Sequence, residues 1–164
     1  MKTLILIRHA KSNAEQFNQS DFERSLSERG ERDALASAEK LLLKISSIDL
    51  LLSSAALRTK QTAAYFISAL NISAEKTIYT DSLYLATAEK IGSVIASVEN
   101  KVDNLIIVCH NPGITDYVNR LSNKVRLDNM PTSGIFCVNA EVEKWEDFEK
   151  AEKSFLFFDY PKKS

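Results

Sequence analysis

Two histidines occur in this chain, His9 and His110, and each stands where a short aliphatic run gives way to a turn: Leu6-Ile7-Arg8-His9-Ala10 and Ile107-Val108-Cys109-His110-Asn111-Pro112-Gly113. The carboxyl end of a buried strand is where open α/β sheets bind their ligands. Either histidine alone is read most simply as a solvated or capping side chain. Taken together, with Arg8 beside the first and Arg58 behind another aliphatic run, they suggest a catalytic pair. Guanidinium forks match phosphate oxygens in bidentate fashion, and helix amino termini present free N–H groups to anions. A phosphoryl group is the natural occupant of such a place. A neutral imidazole among these cations attacks phosphorus and divides one difficult displacement into two easier ones. An ordinary histidine pKa of ~6.5 leaves the ring largely neutral at pH 7, and positive neighbours lower it further. Arg8, Arg58 and the other histidine then stabilise charge on the transferring oxygens.

These side chains meet only if the strands that carry them are neighbours and point the same way. The pattern predicts that. Leu4 to Ile7, Asp49 to Leu52, Thr77 to Tyr79 and Leu105 to Val108 are strand candidates, and helical periods follow each of them. The first helix has apolar positions at Ala34, Ala38, Leu41, Leu42 and Ile45, with Ser25 or Ser27 as its cap and Ser25 with Glu28 as a capping box. Ser53 and Ser54 are expected to cap a helix from about Ala55 to Leu70. Ile91, Val94, Ile95, Val98 and Val102 mark a third helix. Asn111 is expected to cap a fourth, with Pro112 at its first position and Ile114, Tyr117, Val118 and Leu121 along its face. Gly134 to Asn139 and Phe155 to Phe158 are two late strands. The expectation is an α/β fold, a three-layer α/β/α sandwich whose central sheet is mainly parallel with a late antiparallel element. Successive strand residues point to opposite faces, so Arg8 and His9 share one pocket only if the chain turns between them.

The 164 residues fit one domain, 1–164, with no linker or repeat; 45% are apolar and 26% charged, and the formal charge is −1. Basic residues are interspersed with acidic ones, which argues against nucleic acid and anionic membrane as partners. No apolar run approaches the ~20 residues needed to span a bilayer, and the amino terminus is too short in its apolar part for a signal sequence. Cys109 and Cys137 are expected as buried free thiols, consistent with a cytoplasmic protein. Two histidines and two cysteines show no zinc spacing, so neither metal nor cofactor is implied. The segments Ala10 to Arg24 and Asn123 to Ser133 are long enough to serve as a lid, and the final Pro-Lys-Lys-Ser is expected to fray.

The strings Leu6-Ile7-Arg8-His9-Ala10-Lys11-Ser12, Ser53-Ser54-Ala55-Ala56-Leu57-Arg58-Thr59-Lys60-Gln61-Thr62 and His110-Asn111-Pro112-Gly113 resemble the histidine phosphatase, or phosphoglycerate-mutase-like, superfamily. The small SixA-type phosphohistidine phosphatases are the most similar branch. Asp21-Phe22-Glu23-Arg24 through Gly30, and Met130-Pro131-Thr132-Ser133-Gly134, extend the resemblance. It implies His9 as the phosphorylated nucleophile, Arg8 and Arg58 as phosphate-binding arginines, His110 as the second core histidine and Ser12 as a further phosphate contact. Gln61 and Thr62 belong to the motif as packing and capping residues. Many relatives have glycine at the positions of Ala10 and Cys109.

Mutases and many phosphomonoesterases of the family carry a glutamate general acid after the third strand. The stretch Thr80 to Leu85 offers no clear counterpart, with Asp81 and Glu89 as the candidates if an acid is present at all. An alkoxide is a reluctant leaving group without a proton donor, water itself having a pKa of ~15.7. A phosphohistidine with a protonated ring departs as neutral imidazole and needs little help. The implied partner is therefore a phosphohistidine-bearing protein, the alternatives being a small phosphomonoester or a phosphate-binding regulatory module without turnover. A cysteine-dependent phosphatase is excluded, because Cys109 is followed six positions later by Thr115 and not arginine. The four glycines form no nucleotide-binding fingerprint.

Overall fold

The computed structural model describes residues 1–161; of the tail expected to fray, 161–164, all but Pro161 lie outside the described residues. Among the described residues a six-stranded sheet has the order β3-β2-β4-β1-β5-β6. Its strands are β1 (Lys2–Arg8), β2 (Leu50–Ser54), β3 (Thr77–Thr80), β4 (Asn104–Cys109), β5 (Ile135–Ala140) and β6 (Ser154–Asp159). The first four are mutually parallel, while β5 runs antiparallel to β1 and β6 antiparallel to β5. The central strands β1 and β4 are aliphatic on both faces because both faces are covered.

Helices α1 (Glu28–Leu42) and α2 (Leu57–Leu70) cover one face, where Ala38, Leu41, Ala63 and Phe66 pack on Ile5, Ile7, Ile106 and Val108. Helices α3 (Ala88–Ala96) and α4 (Gly113–Leu121) cover the other, where Ile91, Ile95, Tyr117 and Val118 pack on Leu4, Leu6, Leu105 and Ile107. This is the expected three-layer α/β/α arrangement. Strand β1 feeds a helix on one face and its neighbour β4 feeds a helix on the other, so a crevice opens at their carboxyl ends.

Several local expectations need correction. The cap of α1 is Ser27, whose Oγ accepts the Gly30 N–H at 3.0 Å; Ser25 instead accepts from Asn13, so the Ser25–Glu28 box does not form. Helix α2 begins at Leu57 with Ala56 at the cap and no side-chain cap bond, since Ser53 and Ser54 continue β2. Helix α3 stops at Ala96, and Val98 and Val102 join the core from the turns beyond it. Helix α4 has Pro112 at its cap position, and Asn111 Oδ1 accepts from the Thr115 hydroxyl and not from a backbone N–H. Cys109 and Cys137 are buried free thiols, as expected.

Candidate active site

Arg8 and Cys109 are register partners at the ends of β1 and β4, so the next residue of each chain segment is a histidine. The His9 N–H still donates to the Cys109 carbonyl at 3.2 Å, and the two imidazole centroids lie 5.3 Å apart. The required turn after Arg8 is made by the Met130–Gly134 segment. The Ser133 N–H donates to the carbonyls of both Arg8 and His9 at 3.1 Å, and Gly134 O accepts the Arg8 N–H. Ser133 holds a φ of 60°, a left-handed conformation that aims its N–H at both carbonyls. Thr62, on α2, takes the Ala10 N–H on its hydroxyl at 2.9 Å and donates to the Arg58 carbonyl at 2.8 Å. Gln61 Oε1 accepts the Leu26 N–H at 2.7 Å. Both motif residues thus hold the backbone, as their expected packing and capping roles require.

Arg8, His9, Ser12, Arg58 and His110 line one cavity of about 550 Å³, together with Asp21, Arg24, Leu85, Asn111 and others. His9 Nδ1 lies 2.8 Å from the Ala10 carbonyl oxygen. A carbonyl only accepts, so Nδ1 carries the proton and Nε2 keeps its lone pair. Burial lowers the His9 pKa; the Ala10 carbonyl opposes this, the charges of Arg8, Arg58 and Arg24 add to it, and the result is about 4. The ring is neutral at pH 7.

His110 Nδ1 lies 3.3 Å from Arg58 Nη2 and Nε2 lies 2.8 Å from Ser54 Oγ. Since Arg58 can only donate, Nε2 carries the proton of the neutral ring and Ser54 accepts it. Burial, then the charges of His9 and Arg58, lower the His110 pKa to about 3. In this geometry His110 braces Arg58, and Ser54, expected as a helix cap, braces His110.

Arg58 is 2% exposed. Its Nη1 donates to the Asp21 carbonyl at 2.7 Å and its Nη2 to Asp21 Oδ2 at 2.9 Å. Arg8 Nη1 donates to the Met130 carbonyl at 2.9 Å. The Nε atoms of Arg8 and Arg58 are buried without a hydrogen-bond partner among the described residues. Burial, with the charge of Arg58 second, lowers the pKa of Arg8. Two like-charged guanidiniums, Arg58 buried and Arg8 half-buried, each with an unmet Nε–H, make a strong case for an anionic occupant.

Asp21 is a site residue that motif reading noted only as part of a longer string. Its carboxylate accepts from Tyr84 Oη at 2.6 Å, from Arg58, and from Arg24 Nε at 3.0 Å. Burial pushes its pKa up, but the bonds from Tyr84, Arg58 and Arg24 outweigh this and hold it at about 2. Arg24 also reaches Ser12 Oγ at 3.1 Å, so Ser12 lines the cavity while tied to the same cluster. The loop from Ala10 to Arg24 contains the short turn Asp21–Glu23, which packs by α2, and is tied down by a bridge between Ser12 and Leu26 outside the sheet. Asp81 and Glu89, the candidate acids, are exposed and absent from the cavity lining; Glu89 pairs with Arg120 at 2.6 Å. Among the described residues, no group of three or more His, Cys, Asp and Glu could hold a metal ion.

The family model for the histidine phosphatase superfamily (branch 1) matches residues 4–81. An uncharacterized protein of Mycobacterium leprae is 27% identical over 172 aligned positions, which cover 95% of this chain and 100% of that one. Among solved structures, a protein named for the phosphohistidine phosphatase SixA, from Agrobacterium tumefaciens, is 26% identical with a TM-score of 0.83 over 98% of both chains. Another so named, from Nakamurella multipartitia, is 24% identical with a TM-score of 0.83 over 99% of this chain and 97% of that one. The arrangement of this cavity and these likenesses agree in supporting kinship with the histidine phosphatase superfamily, whose model matches residues 4–81, and with the structures named for SixA, whose fold this chain shares.

Proposed function

We propose that the chain is a phosphatase that works through phosphorylation of His9 at Nε2 and that its substrate is protein phosphohistidine. The observation that carries this reading is the state of His9, whose Nδ1–H is held by the Ala10 carbonyl while a neutral Nε2 lone pair stands beside two guanidiniums with unmet N–H groups. In the first step Nε2 forms a bond to phosphorus. The P–N bond of the substrate breaks, and its electron pair returns to the departing imidazole. Water then attacks phosphorus, the P–Nε2 pair returns to His9, and the proton of the water leaves with phosphate. Arg8 and Arg58 hold the transferring oxygens and supply the positive charge, so the proposed steps run without a metal.

The substrate class follows from proton supply. The one carboxylate in the cavity lining is Asp21, held ionised by its three partners, and it has no proton to give an alkoxide near pH 7. An imidazole that departs neutral needs none. The direct test compares release of phosphate from a phosphohistidine-bearing phosphocarrier domain with release from sugar and phenyl phosphates. Rapid turnover of sugar phosphates with none of phosphohistidine would reverse the substrate assignment. Replacing the nucleophile, His9→Ala, is expected to cost on the order of 10⁴-fold in kcat with the fold intact; turnover like that of the wild type would remove His9 from the mechanism.

A further inference from the structure

In a cavity lined mainly by charged and polar side chains and the small Ala14, Leu85 is the one large apolar group, and it is 53% exposed. Its backbone has a φ of 48°, a region that leucine rarely enters and that is more usual for glycine or asparagine. Its neighbours hold it there. Tyr84 is bound through its hydroxyl to Asp21 at 2.6 Å, and its ring stands edge-on to His110 with centroids 5.5 Å apart. On the other side Ala86 is buried, and its carbonyl lies so near Gly113, at the start of α4, that a Cβ there would come within 1.9 Å of it. The strained turn therefore points an apolar side chain into the catalytic cavity instead of the core, and backbone strain of this kind gathers at functional sites.

We propose that Leu85 is the contact surface for the departing imidazole of the substrate, and so a specificity-determining residue. The proposal rests on the reading of His9 as nucleophile. A flat heteroaromatic ring presents an apolar face that Leu85 covers. A sugar in the same place would lay hydroxyl groups against a side chain that cannot bond them, a poor exchange for their water. Leu85 thus selects the group that leaves, and it has no part in the hydrolysis of phospho-His9, by which time that group has gone.

The test separates leaving groups. Asparagine tolerates the left-handed backbone, so Leu85→Asn removes the apolar contact without adding strain. The wild type and this variant are each charged on His9 by a phosphohistidine-bearing phosphocarrier domain and by phosphoramidate, whose leaving group is ammonia, and the decay of phospho-His9 is followed separately. The expected result is that the ratio of the two charging rates, phosphohistidine over phosphoramidate, falls about tenfold, while phospho-His9 decays as in the wild type. A ratio unchanged in the variant, or a loss confined to the decay step, overturns the role of Leu85. A wild type that takes no phosphoryl group on His9 overturns the reading of His9 itself, and the proposal for Leu85 falls with it.

Discussion

The cavity has two walls of unlike construction. On one side His9, Arg58 and His110 are 7%, 2% and 1% exposed, at the ends of β1 and β4 and the first turn of α2. Strand register fixes their spacing, and buried bonds from Ser54, Thr62 and Ser133 fix their orientation. On the other side stands the loop from Lys11 to Arg24, which exposes 94% of Phe17 and depends on the ion pairs of one carboxylate, Asp21. The difference teaches a division of labour: atoms that must be placed to a fraction of an ångström lie on the sheet edge, while the surface that meets a substrate is fastened by bonds that water can contest. Arg58 and Asp21 are the seam between the walls.

After the loss of His9 itself, the largest effect should come from the seam on the sheet side. Arg58→Ala is expected to lower kcat by about 10²–10³-fold, the usual cost of losing one charge-stabilising donor. Arg58→Lys should recover little of it, because one ammonium cannot meet the Asp21 carbonyl and carboxylate and still present a fork to phosphate. Recovery by lysine in steady-state assays would show that charge alone matters and that the seam is not geometric.

Acid should weaken the sheet wall next. His9 and His110 titrate at about 4 and about 3 in the folded chain, below the ordinary 6.5. The unfolded chain binds protons on both rings as pH falls below 6.5 and the folded chain does not, so stability is full above 6.5 and is lost as pH falls towards 4 and 3. From pH 7.5 to 5 the loss is about 2 kcal/mol for each imidazole. Urea midpoints of the wild type and His9→Gln measure it: the variant should lose less on acidification, and equal losses would contradict the depressed pKa of His9.

The smallest effect belongs to the loop wall. Asp21→Asn leaves the sheet edge in place and loosens the clamp, with an expected loss of about tenfold in kcat/KM and faster proteolytic cleavage between Lys11 and Arg24. Unchanged cleavage would mean that the loop is held by its bridge to Leu26 and not by Asp21.

The same division governs what could be read from sequence. Aliphatic runs bounded by turns located β1, β2, β4 and β5, because strands largely buried on both faces leave a continuous apolar signature, and the residues at their ends came with them; the edge strands β3 and β6, partly exposed, left only shorter runs. Arg8, His9, Ser12, Arg58 and His110 lie on one cavity as expected. Caps were less legible: Ser54 and Asn111 look like caps by type, yet their side chains bond His110 and Thr115. Asp21, Tyr84 and Leu85 lay in stretches that were read but were not singled out as site residues, since nothing local marks the Asp21 carboxylate as a guanidinium's partner when the arginine stands far along the chain. A positive φ at leucine has no signature in composition at all.

The strand that delivers His110 ends in Cys109, which is fully buried, and burial pushes its thiol up to about 12. At neutral pH it carries no thiolate, and peroxide attacks thiolates. Phosphatases that rely on a cysteine nucleophile are silenced by oxidants because their reacting atom is itself the oxidisable one. The proposed reacting atom is an imidazole nitrogen of His9, and the sealed sulfur stands one residue before His110, so an oxidant meets no thiolate at that position and the proposed chemistry would run on where a cysteine nucleophile stops.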